Sequence, residues 1–174
     1  MSFSPGFRTR ALAALGFAAA VLAPMAPAHA QVTKLQADPK ALILDGAEVA
    51  AGTDLFFLSG QLAAPVDPKK TFADVKSVDD LGDTKTQTIS VLTKIKALLE
   101  SRGYKMSDLI KLTLFVAADP KTGHMDFAGA NEGFKQFFKT ADNPTTVARS
   151  TFQVAALAGP YFLIEIEGIA ARKK

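Results

Sequence analysis

The chain has 174 residues, a formal net charge of +3, 48% hydrophobic and 21% charged residues, and no cysteine. This is a globular composition, neither disordered nor collagen-like, and the length suffices for one domain with a real core. The lack of cysteine excludes disulfides, thiolate metal sites and thiol nucleophiles.

Residues 1–30 read as a secretory signal. Arg8 and Arg10 precede an uncharged apolar run over 11–22, Pro24 and Pro27 break it, and Ala28-His29-Ala30 is a small-x-small cleavage pattern. The run is short for a bilayer span. Cleavage after Ala30 leaves one domain, residues 31–174, periplasmic or secreted and with no membrane attachment. Loss of the two arginines lowers the net charge from +3 to +1. With no basic patch interleaved with aromatics, a nucleic-acid partner is not expected. His124 is then the one histidine left, too few for a zinc site or a Ser-His-Asp triad, and it reads as a surface loop residue.

In chain order, Val32–Gln36 reads as a short strand followed by a loop. Runs over 47–51 and 55–60 suggest a hairpin around Gly52-Thr53-Asp54. The continuous apolar run Leu55-Phe56-Phe57-Leu58 suggests a strand covered on both faces. It ends in Ser59-Gly60-Gln61, where a glycine lets a backbone or ligand approach closely; Ser59 and Gln61 are as consistent with turn capping as with facing a ligand. Segment 63–82 is a long polar loop with a helical turn near 72–75. Residues 83–102 form a helix with Ile89, Leu92, Ile95, Leu98 and Leu99 on one face, stopped by Gly103. Residues 109–117 alternate as a strand. A second helix over 125–138 presents Phe127, Ala130, Phe134, Phe137 and Phe138 on one face, with Asn131 at its edge in a place suited to tying down a neighbouring loop.

The last two strands, 147–154 and 162–170, are joined by a short connection containing Gly159-Pro160. Alternation puts Arg149 and Thr151 on one side of the first and Glu165 and Glu167 on one side of the second. Read as neighbours, the two strands carry a face with one guanidinium and two carboxylates. This is either a solvated cross-strand ion pair, worth about 0.2–1 kcal/mol, or a site in which Arg149 grips a carboxylate and a glutamate moves protons. Helices on one face of a mixed sheet make the domain α+β. The uncovered face, apolar and charged together, suits a subunit interface.

Six stretches in one order carry a family resemblance: L-F-F-L-S-G-Q at 55–61, Q-T-I-S-V-L-T-K-I-K-A-L-L-E-S-R-G at 87–103, S-D-L-I-K-L-T-L-F-V at 107–116, D-F-A-G-A-N-E-G-F-K-Q-F-F at 126–138, V-A-R-S-T at 147–151 and I-E-I-E-G-I-A at 164–170. The chain resembles the RidA/YjgF family of enamine/imine deaminases, also called endoribonuclease L-PSP, over nearly all of residues 31–174. The resemblance implies a chorismate-mutase-like α+β fold with two helices on one face of a mixed sheet. It implies a homotrimer with clefts between subunits, and hydrolysis of reactive enamines and imines such as 2-aminoacrylate to 2-keto acid and ammonia. No metal or organic cofactor is implied. By the same resemblance Arg149 is the substrate-binding arginine and Glu165 the catalytic glutamate, while Ser59, Gly60, Asn131 and Thr151 line the cleft.

The chemistry agrees with those roles. A guanidinium offers two parallel N–H donors to the carboxylate of an imino acid, and the imine carbon is already electrophilic, so a positioned water and a carboxyl to shuttle protons suffice. Two departures stand out: the family's Gly-Pro-Tyr tyrosine falls on Gly46 of Leu44-Asp45-Gly46, and a position often cysteine in the family, not needed for deamination, is Thr151; in addition, the loop 63–82 is longer than usual. The alternative is a non-catalytic carboxylate-binding protein of the same fold, which the loss of that tyrosine would favour. Ribonuclease action, suggested by the family's other name, lacks a histidine pair and a basic groove.

Overall fold

The computed structural model describes Met1 and residues 31–173, so the segment read as a secretory signal lies, Met1 apart, outside the described residues. The elements are β1 (Val32–Leu35), β2 (Gly46–Val49), β3 (Asp54–Leu62), α1 (Thr84–Ser101), β4 (Leu109–Ala117), α2 (Phe127–Phe134), β5 (Ala148–Val154) and β6 (Ile164–Arg172). Four strands form a mixed sheet in the order β3-β6-β4-β5, with β4 and β5 parallel and the other pairs antiparallel. β1 and β2 pair only with each other among the named strands, and a parallel bridge from Leu44 to Ala148 attaches them at the β5 edge.

Two expectations need correction. The turn at Gly52 forms, with φ +82°, but its flanking strands do not pair: β2 pairs with β1 and β3 with β6. Local turn chemistry sets the chain reversal, whereas strand partners are chosen by long-range burial. β5 and β6 are likewise not neighbours, because β4 lies between them.

The two helices and one sheet face enclose the core. Asp83 caps α1 by accepting from the Thr86 N–H at 2.8 Å, and Gly103, at φ +72°, follows its end. The buried stripe of α1 is Thr88, Val91, Leu92, Ile95 and Leu99; Ile89 and Leu98 are half-buried at its margins. α2 is shorter than its apolar pattern suggested, yet Phe134 and Phe138 still stack at 4.3 Å in the core. Leu112, Leu114, Val116, Ile164, Ile166 and Ala170 face the helices and are fully buried.

The opposite sheet face is uncovered in the single chain. Leu55 and Phe57 of β3 lie on it, Phe57 68% exposed, with Phe152 of β5 and Phe115 beside it in T-shaped contact at 5.2 Å. The run Leu55–Leu58 is therefore covered on one face only, contrary to the expectation of a strand covered on both.

Lys34 of β1 pins the small sheet to the main one, donating to the carbonyls of Ser107 and Thr146 at 2.8 and 3.0 Å. Burial pulls its pKa from 10.5 down to about 8, against the opposing pull of Asp108. Between about pH 8 and 10.5 the unfolded chain therefore binds more protons at this residue, and its contribution favours the fold increasingly as pH rises. The stability difference between wild type and Lys34→Met, measured by denaturant unfolding, is expected to move in favour of wild type from pH 8 to pH 10. A pH-independent difference would refute this.

Candidate functional site

The six residues singled out in the sequence divide into two groups on opposite faces of the sheet. Cross-strand register partners point to the same side. Arg149 and Thr151 are partnered with Leu112 and Leu114, which face the helices. Glu165 is partnered with Phe115 on one side and Leu62 on the other, and Phe115 with Phe152, so Glu165 belongs to the uncovered face. The idea of a single face bearing one guanidinium and two carboxylates does not hold within one chain.

The first group is built by β5 and α2. Arg149 Nη2 donates to Asn131 Oδ1 at 2.6 Å, which gives Asn131 a side-chain partner where the sequence suggested a loop. The guanidinium lies 4.5 Å from the Phe134 ring centroid and 5.9 Å from that of Phe127, a solvent-exposed residue one turn before Asn131. Burial alone pulls the Arg149 pKa below its ordinary value. Arginine remains charged, so this is a cation held partly out of water with an amide, not a carboxylate, beside it. Arg149 Nη1 is buried with no hydrogen-bond partner among the described residues, and so is Thr151 Oγ1, two residues along the same strand face. A buried donor left unmade is costly. These two unmet polar groups, one of them on the guanidinium itself, are of the kinds that bind a planar anion such as a carboxylate.

The second group is built by β3 and β6. Leu58 pairs with Gly168 and Gln61 with Ile166, so β3 carries one extra residue across this interval, a β-bulge formed by Ser59 and Gly60. A Cβ built on Gly60 would fall on Glu165 Oε1, so the carboxylate lies directly over the glycine. Glu165 and Glu167 line a groove of about 340 Å³ with Phe115, Val154, Leu157 and Ala158. Glu165 is half-buried there and Glu167 exposed.

Sequence reasoning missed three contributors. Phe127 and Phe134 sit four residues before and three after Asn131, so the helical period could have placed them around Arg149. Gln87 is buried in α1. It donates to the carbonyls of Gly82 and Tyr161 at 2.9 and 3.0 Å and accepts from the Leu163 N–H at 2.9 Å, which fixes the approach to Glu165. Apart from its place at the head of the stretch 87–103, nothing in the sequence marks it. Gly46, where the resembled family has tyrosine, begins β2 opposite Leu35, and a Cβ there would meet only Leu35 at 4.0 Å.

A family profile described as Endoribonuclease L-PSP matches residues 47–172. A RutC family protein of Pyrococcus horikoshii is 38% identical over 125 residues, 72% of this chain and 84% of the relative. A 2-iminobutanoate/2-iminopropanoate deaminase of Salmonella typhimurium is 39% identical over 115 residues, 66% of this chain and 77% of the relative. Among solved structures, a conserved Rid family protein from Yersinia pestis superposes with a TM-score of 0.61 at 22% identity, covering 82% of this chain and all of that one, and so agrees in fold. TdcF of E. coli with bound serine superposes with a TM-score of 0.53 at 32% identity, covering 81% of this chain and 100% of that one.

Proposed function

Because the chain belongs to the endoribonuclease L-PSP family, which includes the RidA/YjgF proteins, we propose that it hydrolyses small 2-imino acids, and the enamines that tautomerise to them, to 2-keto acids and ammonia. The observation that carries this reading is the pair of buried, unpartnered polar atoms on Arg149 and Thr151, a carboxylate receptor with no carboxylate of its own. The names of relatives at 36–39% identity point to the same reaction.

In this reading the substrate carboxylate accepts from Arg149 Nη1 and lies beside Thr151, while Asn131 holds the guanidinium plane. Glu165 takes a proton from water as the water oxygen bonds to the imine carbon and the C=N π pair moves to nitrogen. The same carboxyl then protonates the nitrogen. Glu165 next carries the hydroxyl proton to the amine nitrogen, the C–N bond breaks, and ammonia leaves as the keto acid carbonyl forms. Ser59 hydrogen-bonds the water or the tetrahedral oxygen. Arg149 and Glu165 lie on opposite faces of one chain, so the site would join Arg149 of one copy to Glu165 of another. This asks a neighbour in a homotrimer to dock on the uncovered face at Phe57, Phe115 and Phe152 and to bring its own β5 and α2, with Arg149, to Glu165.

A second reading, a carboxylate binder without turnover, is favoured by Gly46 in place of the resembled family's tyrosine and by the serine bound to TdcF. The two are separated by generating imino acids in situ with an amino-acid oxidase and measuring keto acid and ammonia release. Hydrolysis above the uncatalysed rate supports the deaminase. Stabilisation by carboxylates without any acceleration would leave only the binder. Export to the periplasm, or secretion, is part of the same proposal, and loss of residues 1–30 from protein recovered outside the cytoplasm would test it.

A further inference from the structure

The segment between β3 and α1 is folded rather than slack. Asp80 accepts from Lys70 Nζ at 2.6 Å and from the Lys76 and Ser77 N–H groups at 2.9 and 3.0 Å, and Val66 N–H donates to the Asp80 carbonyl at 2.9 Å. Lys94 of α1 donates to the Leu62 carbonyl at 2.8 Å and lies 5.9 Å from the Phe72 ring centroid. These contacts hold the Phe72 ring against that of Phe162, centroids 6.0 Å apart, and both rings wall a cavity of about 370 Å³ lined also by Leu62, Val75, Leu81 and Tyr161. No charged side chain lines it. Its volume falls in the range of small-ligand pockets, roughly 300–1,000 Å³.

Two independent features connect this cavity to Glu165. Leu62, on its wall, is the register partner of Glu165 across β3 and β6. In addition, the β5–β6 connection runs past three grooves in turn. Gly159, Pro160 and Phe162 line both the apolar cavity and a neighbouring groove of about 390 Å³, and Ala156 and Leu157 line both that groove and the one holding Glu165. The apolar cavity therefore lies near the groove that holds Glu165, through Leu62 and the walls of the intervening groove.

We propose that this cavity receives the substrate's side chain, so that the chain acts on 2-imino acids with bulky apolar side chains, aromatic or branched, in preference to 2-iminopropanoate. This rests on the deaminase reading above and names the substrate class of that site. An apolar pocket favours a filled methylene by roughly 10–200-fold in kcat/KM, and a charged side chain buried there would lack a partner.

The test compares kcat/KM for imines generated in situ from phenylalanine, leucine and alanine. The phenylalanine or leucine imine is expected to exceed the alanine imine by about tenfold or more. Phe72→Ala, at a site 55% exposed where the fold tolerates truncation, should reduce that ratio by about tenfold. Val75→Trp, which fills the cavity from its other side, should reverse the preference. Turnover of the alanine imine with no gain for the larger ones, or ratios unchanged in both variants, would overturn this inference alone. No turnover of any imine would overturn the deaminase reading and this inference with it.

Discussion

Arg149→Ala is expected to lower kcat/KM for any 2-imino acid by roughly 30- to 5000-fold, the equivalent of about 2–5 kcal/mol for truncating one partner of a buried charge-assisted pair. The fold should survive. Among the described residues Arg149 makes one side-chain hydrogen bond, to Asn131, and its desolvated cation has no carboxylate paired with it. Removing it forfeits a cation–π contact with Phe134, about 0.5–2 kcal/mol, but relieves the burial of that charge. Arg149→Lys should recover little, since an ammonium cannot reproduce the paired N–H fork. Because Arg149 and Glu165 occupy opposite sheet faces, the sharper measurement mixes two inactive proteins. When Arg149→Ala and Glu165→Gln chains are refolded together, some clefts pair an intact Arg149 from one chain with an intact Glu165 from the other, and activity should return. If the mixture stays as inactive as its components while each variant alone assembles normally, both residues act within one chain and the two-copy site is wrong.

Gly60→Ala should cost on the order of 100-fold in kcat, the scale of displacing a reacting group by about 1 Å, with a loss of stability near the low end of the roughly 1–3 kcal/mol typical of overpacking. Gly60 is not among the positive-φ glycines, so the backbone itself accepts alanine. What the position requires is the missing Cβ, since that atom would occupy the place of Glu165 Oε1. Glu165 is half-buried and can swing aside, which spares the fold and removes the carboxyl from its station. If Gly60 acts through Glu165, adding Gly60→Ala to Glu165→Gln should cost little more than Glu165→Gln alone. Full activity in Gly60→Ala, or additive losses in the double variant, would refute the role assigned to this contact.

Much of the fold was legible in the residues. The bounds of α1 follow from Asp83 and Gly103, and β4 from strict alternation over 109–117, because caps and periodicity are local and each residue's preference is read in place. The six candidate residues were picked out by the ordered motifs and the family resemblance they carry, and their types suit a carboxylate-binding, proton-moving chemistry. The strand partners were not. β5 and β6 are consecutive in sequence, but the parallel β4–α2–β5 crossover and the antiparallel return of β6 leave β4 between them, and a strand's partner depends on the burial of the whole sheet. The side of the sheet on which Arg149 sits follows from that order. Alternation along a strand fixes which residues share a side, but only the packing of α2 against β5 decides that Arg149 and Thr151 face the helices while Glu165 faces out. The sequence by itself determined the element types, the caps and the chemistry of the residues at stake. The tertiary structure alone decided that these residues fall into two groups on opposite faces of the sheet, because the direction of a side chain relative to a second element is a property of packing, not of period.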